Sequence, residues 1–209
     1  MGKKSILKTK REMATISRQI YDKGLTYSTG GNISVKLGDD QFLIKPADFC
    51  FGDMRAKDFI TINKKGEILD GQPGNRPSSE TKMHLAVYRD IKDAKAVIHT
   101  HSPYTMVFAT SGKPIEAATT FAEEEIGLVP VAPYRDPGTQ ALADIVGKTL
   151  QNVEKGFYPP PNQPAIACLL ERHGVLLAGK NLKQTFYALE SLETTARTLL
   201  WMKVLEIAG

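Results

Sequence analysis

The chain has 209 residues, enough to bury a core without disulfides or a metal as staples, and this length predicts a single domain over residues 1–209. With 42% hydrophobic and 24% charged residues and no apolar run of membrane-spanning length, the composition speaks against a membrane-embedded protein and predicts an ordinary globular one. The formal net charge of +4 includes no basic stripe interleaved with aromatics, so no nucleic-acid partner is expected, while a mild positive balance suits a small anionic substrate.

The first residues, Met1-Gly2-Lys3-Lys4-Ser5, are basic, but Lys8, Lys10 and Arg11 follow where a signal peptide needs its apolar stretch, so a cytoplasmic location is expected. From Lys8 to Lys23 the residues Met13, Ile16, Ile20 and Tyr21 recur at helical spacing, and Gly24 stands where a helix ends. Thr26-Tyr27-Ser28-Thr29-Gly30-Gly31-Asn32 is then a polar, glycine-rich turn, either a plain connection or a cradle whose N–H groups take a phosphate. Val35 to Ile44 reads as a hairpin turning at Gly38-Asp39-Asp40, and Ile60-Thr61-Ile62 with Glu67-Ile68-Leu69 as a second one. Hairpins are the short way to join antiparallel strands, so the sheet is expected to be largely antiparallel. Cys50 and Cys168 are far apart and in no CxxC pattern, and both read as small packed hydrophobes.

Ser78-Ser79-Glu80 precedes a helix from Thr81 to Arg89. One serine as N-cap and a glutamate favoured by the helix dipole explain part of this start, and the second serine leaves spare hydroxyl and N–H groups for an anion. Asp93 to Ser102 is an apolar strand carrying His99 and His101, whose side chains project from one face. Such a pair is either a hydrogen-bonded strand end or two ligands of one metal. Pro103 suits the first position of a helix running from Tyr104 to Ser111.

Phe121-Ala122-Glu123-Glu124-Glu125 reads first as a solvated acidic turn. A helix starting at Pro137-Gly138-Thr139 carries Leu142, Ile145, Val146 and Leu150 on one face, and Glu154 to Pro164, with Tyr158-Pro159-Pro160-Pro161, is expected to be an extended exposed loop. Two apolar strands meet at Glu171-Arg172-His173-Gly174, a turn that can bring His173 to the first pair. The last helix, Leu182 to Glu206, is expected to bury Phe186, Leu189, Leu192, Ala196, Leu199, Leu200 and Met202. His99, His101 and His173 with the carboxylate of Glu80 would make a sound ligand set for zinc or a similar divalent ion, and His84, mid-helix, reads as structural.

Thr29-Gly30-Gly31-Asn32-Ile33-Ser34, Ser78-Ser79-Glu80 with His84, His99-Thr100-His101 and Arg172-His173-Gly174 together resemble the class II aldolase/adducin family, from about residue 10 to 205, with the fuculose-phosphate aldolase branch nearest and the ribulose-phosphate epimerases close behind. The resemblance implies an α/β fold, a three-layer arrangement with a central mainly antiparallel sheet flanked by helices. It implies one divalent metal per subunit, zinc first and Mn, Co or Ni as substitutes, held by His99, His101 and His173, with Glu80 as ligand or acid/base. It also implies a substrate phosphate on Thr29, Gly31, Asn32, Ser78 and Ser79, and a homotetramer with active sites at subunit interfaces.

Cleavage of a carbon–carbon bond beside a ketone leaves an enediolate, which a divalent cation stabilises as a Lewis acid, and no Schiff-base lysine is required. Glu80 can then pass a proton to or from the carbanion carbon. The pattern departs from the family in two places. Where fuculose-phosphate aldolases carry a tyrosine after the histidine strand, this chain has Phe121 and then Glu123-Glu124, which makes Glu124 or Glu123 the second acid, and the tyrosine of the family's C-terminal tail has no counterpart in residues 1–209. In Lys45-Pro46-Ala47-Asp48 the last two positions replace a small hydroxyl residue and glycine. Lys45 resembles the epimerase version and can reach an anion, whereas Asp48 either points away from the phosphate or accompanies a different bound group.

The expected function is cleavage of a ketose 1-phosphate to dihydroxyacetone phosphate and an aldehyde. Epimerisation, dehydration or decarboxylation on the same metal site is the alternative, and a non-catalytic adducin-like assembly module is the alternative of another class.

Overall fold

The computed structural model describes residues 2–154 and 163–208. Its strands are β1 Asn32–Gly38, β2 Gln41–Ile44, β3 Ile60–Ile62, β4 Ile68–Asp70, β5 Ala96–Thr100, β6 Val131–Ala132, β7 Ala165–Leu170 and β8 Gly174–Gly179. They form one sheet in the order β4-β3-β2-β1-β5-β8-β7-β6, antiparallel throughout except for the β6–β7 pair. The helices are α1 Lys3–Asp22, α2 Thr81–Asp90, α3 Pro103–Ser111, α4 Thr120–Glu125, α5 Gln140–Glu154 and α6 Leu182–Ala208.

Side chains alternate across each strand, so the sheet buries both faces. Ile33, Leu43, Ile98, Leu169 and Leu177 pack with Met13 and Ile20 of α1, Phe108 of α3 and Phe186 and Leu189 of α6. Ile44, Val97, Leu170 and Leu176 pack on the other side with Met83 and Val87 of α2 and Leu142 and Val146 of α5. The expected three-layer α/β/α fold with a mainly antiparallel central sheet is therefore the observed one. Each such fully buried side chain contributes about 1.5–3 kcal/mol of transfer free energy.

Several local expectations need correction. The first helix starts at Lys3 rather than Lys8, because Ile6 already packs against the core, and Lys10 is tied to Asp70 at 3.2 Å. The acidic segment after Thr119 is a short helix, α4, whose N-terminus is capped where the Thr119 hydroxyl accepts the Ala122 N–H at 3.2 Å. Leu199 and Leu200 are only half-buried and Met202 is 45% exposed, because α6 runs progressively out of the core after Ala196. Cys168 is buried as expected, whereas Cys50 is only half-buried. The loop expected around Tyr158-Pro159-Pro160-Pro161 lies outside the described residues, and among the described residues no helix is long and apolar enough to cross a membrane.

Candidate active site

Four chain segments meet at one end of the central strands. Asn32 of β1 lies opposite His99 of β5, and on the other flank of β5 Val175 of β8 lies opposite Thr100. His99 and His101 point, like Val97, to the face covered by α2, whose first residues carry Glu80 over the strand ends. The β7–β8 turn delivers His173 beside them, with Arg172 at φ 60 and its guanidinium 4.8 Å from the centre of the Tyr134 ring. Gly174 makes this assembly sterically feasible: a Cβ there would drive into the Thr100 carbonyl oxygen and stand 3.0 Å from both His99 Cε1 and His101 Cδ2. The chain after His101 is pinned from α6, where Glu193 accepts the Tyr104 and Thr105 N–H groups at 2.7 and 2.9 Å at the start of α3.

His99 is 1% exposed and donates Nδ1–H to the Val175 carbonyl at 2.9 Å. That bond assigns the tautomer and leaves the Nε2 lone pair facing inward. His101 Nε2 stands 3.2 Å from it, and Glu80 Oε2 lies 3.2 Å from His99 Nε2 and 3.8 Å from His173 Nε2. The ligand atoms of His99, His101 and His173 all fall within 4.8 Å of one another. Burial, followed by mutual repulsion, holds His99 well below its ordinary pKa and His101 down to about 4, so both are neutral at pH 7 and present lone pairs.

Burial pushes the Glu80 carboxyl above the usual carboxylate range, against the opposing pull of His173, the Gly138 N–H and the Asn32 amide. Both Glu80 oxygens are buried and neither makes a hydrogen bond of good geometry. Inward lone pairs around a carboxylate with orphaned oxygens cost free energy unless a cation lies among them. Three imidazole nitrogens and one carboxylate oxygen fit a divalent metal of the borderline class.

The histidines and Glu80 line a cavity of about 320 Å³, and so does every residue predicted to hold phosphate, namely Thr29, Gly31, Asn32, Lys45, Ser78 and Ser79. Gly31 sits at φ +75, and a Cβ there would lie 2.7 Å from the His99 carbonyl oxygen, so this turn can only press against the histidine strand as glycine. Ser78 is not an ordinary N-cap: Glu80 takes that position without a side-chain cap bond, and the Ser78 hydroxyl accepts the Glu80 N–H at 3.3 Å. Lys45 is 2% exposed, donates Nζ–H to the Thr29 carbonyl at 3.2 Å and stands 5.3 Å from the centre of the Phe51 ring, and burial lowers its pKa to about 8.

Arg76, which sequence reasoning passed over, also lines the cavity and reaches Asp48 at 2.9 Å, with both side chains more than 75% exposed. The only hint was its place two residues before Ser78. Glu123 and Glu124 are exposed on α4, away from the described cavity lining. That lining has no tyrosine; Tyr27 lies beside it, its ring centre 6.0 Å from that of His101.

A family model described as "Class II Aldolase and Adducin N-terminal domain" matches residues 11–200. A 3-oxo-tetronate 4-phosphate decarboxylase of Pectobacterium atrosepticum is 30% identical, the match covering 92% of this chain and 84% of that protein. A 5-deoxy-D-ribulose 1-phosphate aldolase of Bacillus thuringiensis is also 30% identical, over 91% of this chain and 83% of the other. A solved structure titled L-fuculose 1-phosphate aldolase superposes with a TM-score of 0.81 at 27% identity, covering 98% of this chain and 89% of that one.

Proposed function

The chain belongs to the class II aldolase and adducin family, and on that premise we propose that it is a metal-dependent lyase that cleaves a ketose 1-phosphate to dihydroxyacetone phosphate and an aldehyde. The observation that carries this reading is one cavity lined both by His99, His101, His173 and Glu80 and by Thr29, Gly31, Asn32, Lys45, Ser78 and Ser79. The histidines, with Glu80 as a further ligand, would hold the metal, zinc in the first place with Mn, Co or Ni able to substitute. A bound divalent cation supplies Lewis-acid stabilisation of the oxyanion left when a carbon–carbon bond beside a ketone breaks.

The chain's own residues do the rest. The phosphate sits on the Gly31–Asn32 turn and the Ser78-Ser79 segment, with the Lys45 ammonium behind it. The C3–C4 bond of the ketose breaks, the proton of the C4 hydroxyl leaves to a second acid/base group, and Glu80 delivers a proton to C3. Burial, which raises its pKa, favours the protonated form that such a delivery needs. Asp48 also lines the cavity, and its charge is offset there by Arg76.

We assign the second group to Glu124 or Glu123 of a neighbouring copy in a homotetramer with active sites at subunit interfaces. Support comes from the exposure of both carboxylates on α4 and from the apolar end of α6, where Trp201, Leu205 and Ile207 are 56%, 72% and 87% exposed. A single domain and a cytoplasmic location complete the proposal.

Decarboxylation of a phosphorylated 3-oxo acid is the second reading. It leaves the same kind of oxyanion and needs no base for a hydroxyl proton, which suits a cavity lining without a second carboxylate free of Arg76. The protein purified without chelators and supplied with zinc is to be assayed on a panel of ketose 1-phosphates, ketose 5-phosphates and phosphorylated 3-oxo acids. Aldehyde release with dihydroxyacetone phosphate supports the lyase, carbon dioxide release supports the decarboxylase, and isomer formation alone would sink both.

A further inference from the structure

His84, read from the sequence as merely structural, is 1% exposed on α2 and lines no part of the cavity, yet it is joined to it by a run of buried hydrogen bonds. Its Nε2 is hydrogen-bonded to Asn32 Oδ1, its Nδ1 lies 2.6 Å from Ser34 Oγ, and Ser34 Oγ lies 2.8 Å from the Tyr88 hydroxyl. Asn32 and Ser34 are alternate residues of β1 and so face α2 together, while His84 and Tyr88 are one helical turn apart and face β1 together. All four side chains are no more than 6% exposed, so water does not compete for these bonds.

The donors can be assigned one by one. A carboxamide oxygen only accepts, so His84 Nε2 must carry its hydrogen. A neutral imidazole has one N–H, and burial keeps His84 neutral, so Nδ1 is the acceptor and the Ser34 hydroxyl donates to it. Ser34 Oγ then accepts from Tyr88. At the far end the Asn32 NH2 is left to face Glu80, whose charged form it favours. Turned over, the amide would set its oxygen against the Glu80 carboxylate, acceptor against acceptor. His99 is of the opposite tautomer, because its Nδ1–H goes to Val175.

We propose that His84 is a positioning residue: locked as the Nε2–H tautomer by Ser34 and Tyr88, it holds the Asn32 carboxamide with its NH2 turned into the cavity, toward Glu80 and the bound anion. The part concerning the anion rests on the proposed function, in which Asn32 contacts phosphate, and the part concerning the tautomer does not.

Nitrogen-15 NMR of the imidazoles, with inorganic phosphate as the anion probe, tests it on the zinc-loaded protein. The wild type should show His84 as the Nε2–H tautomer and His99 as the Nδ1–H tautomer. His84→Leu should keep its metal content but bind phosphate about 10–100-fold more weakly, the worth of one hydrogen bond to a charged group. His84→Gln, which keeps a donor at the Nε2 position, should stay within about threefold of wild type by the same scale. A merely structural histidine would give both variants the same affinity.

An Nδ1–H tautomer at His84, unchanged phosphate affinity in folded His84→Leu, equal losses in both variants, or no phosphate binding by the wild type would each overturn the proposal. Should His84→Leu fail to fold, the tautomer decides, together with Ser34→Ala, in which the fixed Nε2–H state should give way to a mixture of tautomers. None of these readouts uses turnover, so failure of the lyase reading in the substrate panel stays separate from failure here.

Discussion

At the buried end of the cavity Glu80 and His99 stand on the ends of a helix and a strand with side chains 6% and 1% exposed, while at its rim Asp48 and Arg76 sit on loops with more than 75% of each side chain in solvent. The buried end is over-determined: Val175 sets the His99 tautomer, Gly31 and Gly174 let the backbone come close, and Glu193 pins the segment that follows His101. The rim rests on one exposed ion pair, which is worth about 0–1 kcal/mol. The groups proposed to act on the reacting bond are therefore held in fixed places, whereas those at the rim are held by little besides each other.

The comparison breaks most sharply if the buried end tolerates change. Glu80→Gln, close in shape but unable to exchange a proton, should lower turnover per bound metal about 10²–10⁴-fold, since that range is typical of a positioned acid/base. Parallel turnover and metal assays decide whether proton transfer or metal loss is responsible. Gly174→Ala should cost about 1–3 kcal/mol in a urea titration, because its Cβ meets backbone that is clamped by β5 and β8.

Lys45 lies between the two ends and sharpens the contrast. Lys45→Met should raise KM about 10-fold or more with kcat little changed, since the ammonium meets the anion in ground and transition states alike. Its folded pKa of about 8 lies below the ordinary 10.5, so the unfolded chain binds more protons between these values and this group makes the protein more stable as pH rises through that window. Anion affinity should fall over the same window as the ammonium is lost. Phosphate titration and thermal melts from pH 7 to about pH 10 should therefore move in opposite directions.

The smallest effect belongs to the rim. Asp48 holds φ +64, a conformation glycine adopts without strain, so Asp48→Gly should change stability by no more than about 1 kcal/mol and release Arg76 for the anion, lowering KM a few-fold.

Much of this was legible in the chain because the decisive signals are local. Hairpins at Gly38-Asp39-Asp40 and Asn63-Lys64-Lys65-Gly66 imply an antiparallel sheet, alternation puts His99 and His101 on one face, and a turn between two apolar strands carries His173 inward. What was hidden depends on contacts between distant segments. The Arg76–Asp48 pair joins residues 28 apart, and the tie between His84 and Asn32 spans 52. Nothing in the helical pattern of α2 distinguishes a packed histidine from one that orients a neighbour, and Glu123-Glu124 read as a solvated turn because a six-residue helix is too short to show a period.

Metal analysis of wild type beside His173→Ala, both purified without chelators, bears most directly on the central claim. His173 comes from the β7–β8 turn, so its loss opens the ligand set without removing Glu80 or the β5 histidines. The account predicts about one equivalent of a divalent metal, zinc first, in the wild type and a 10-fold or larger loss of affinity in the variant. A wild type without metal, or a variant that retains a full equivalent, would contradict it.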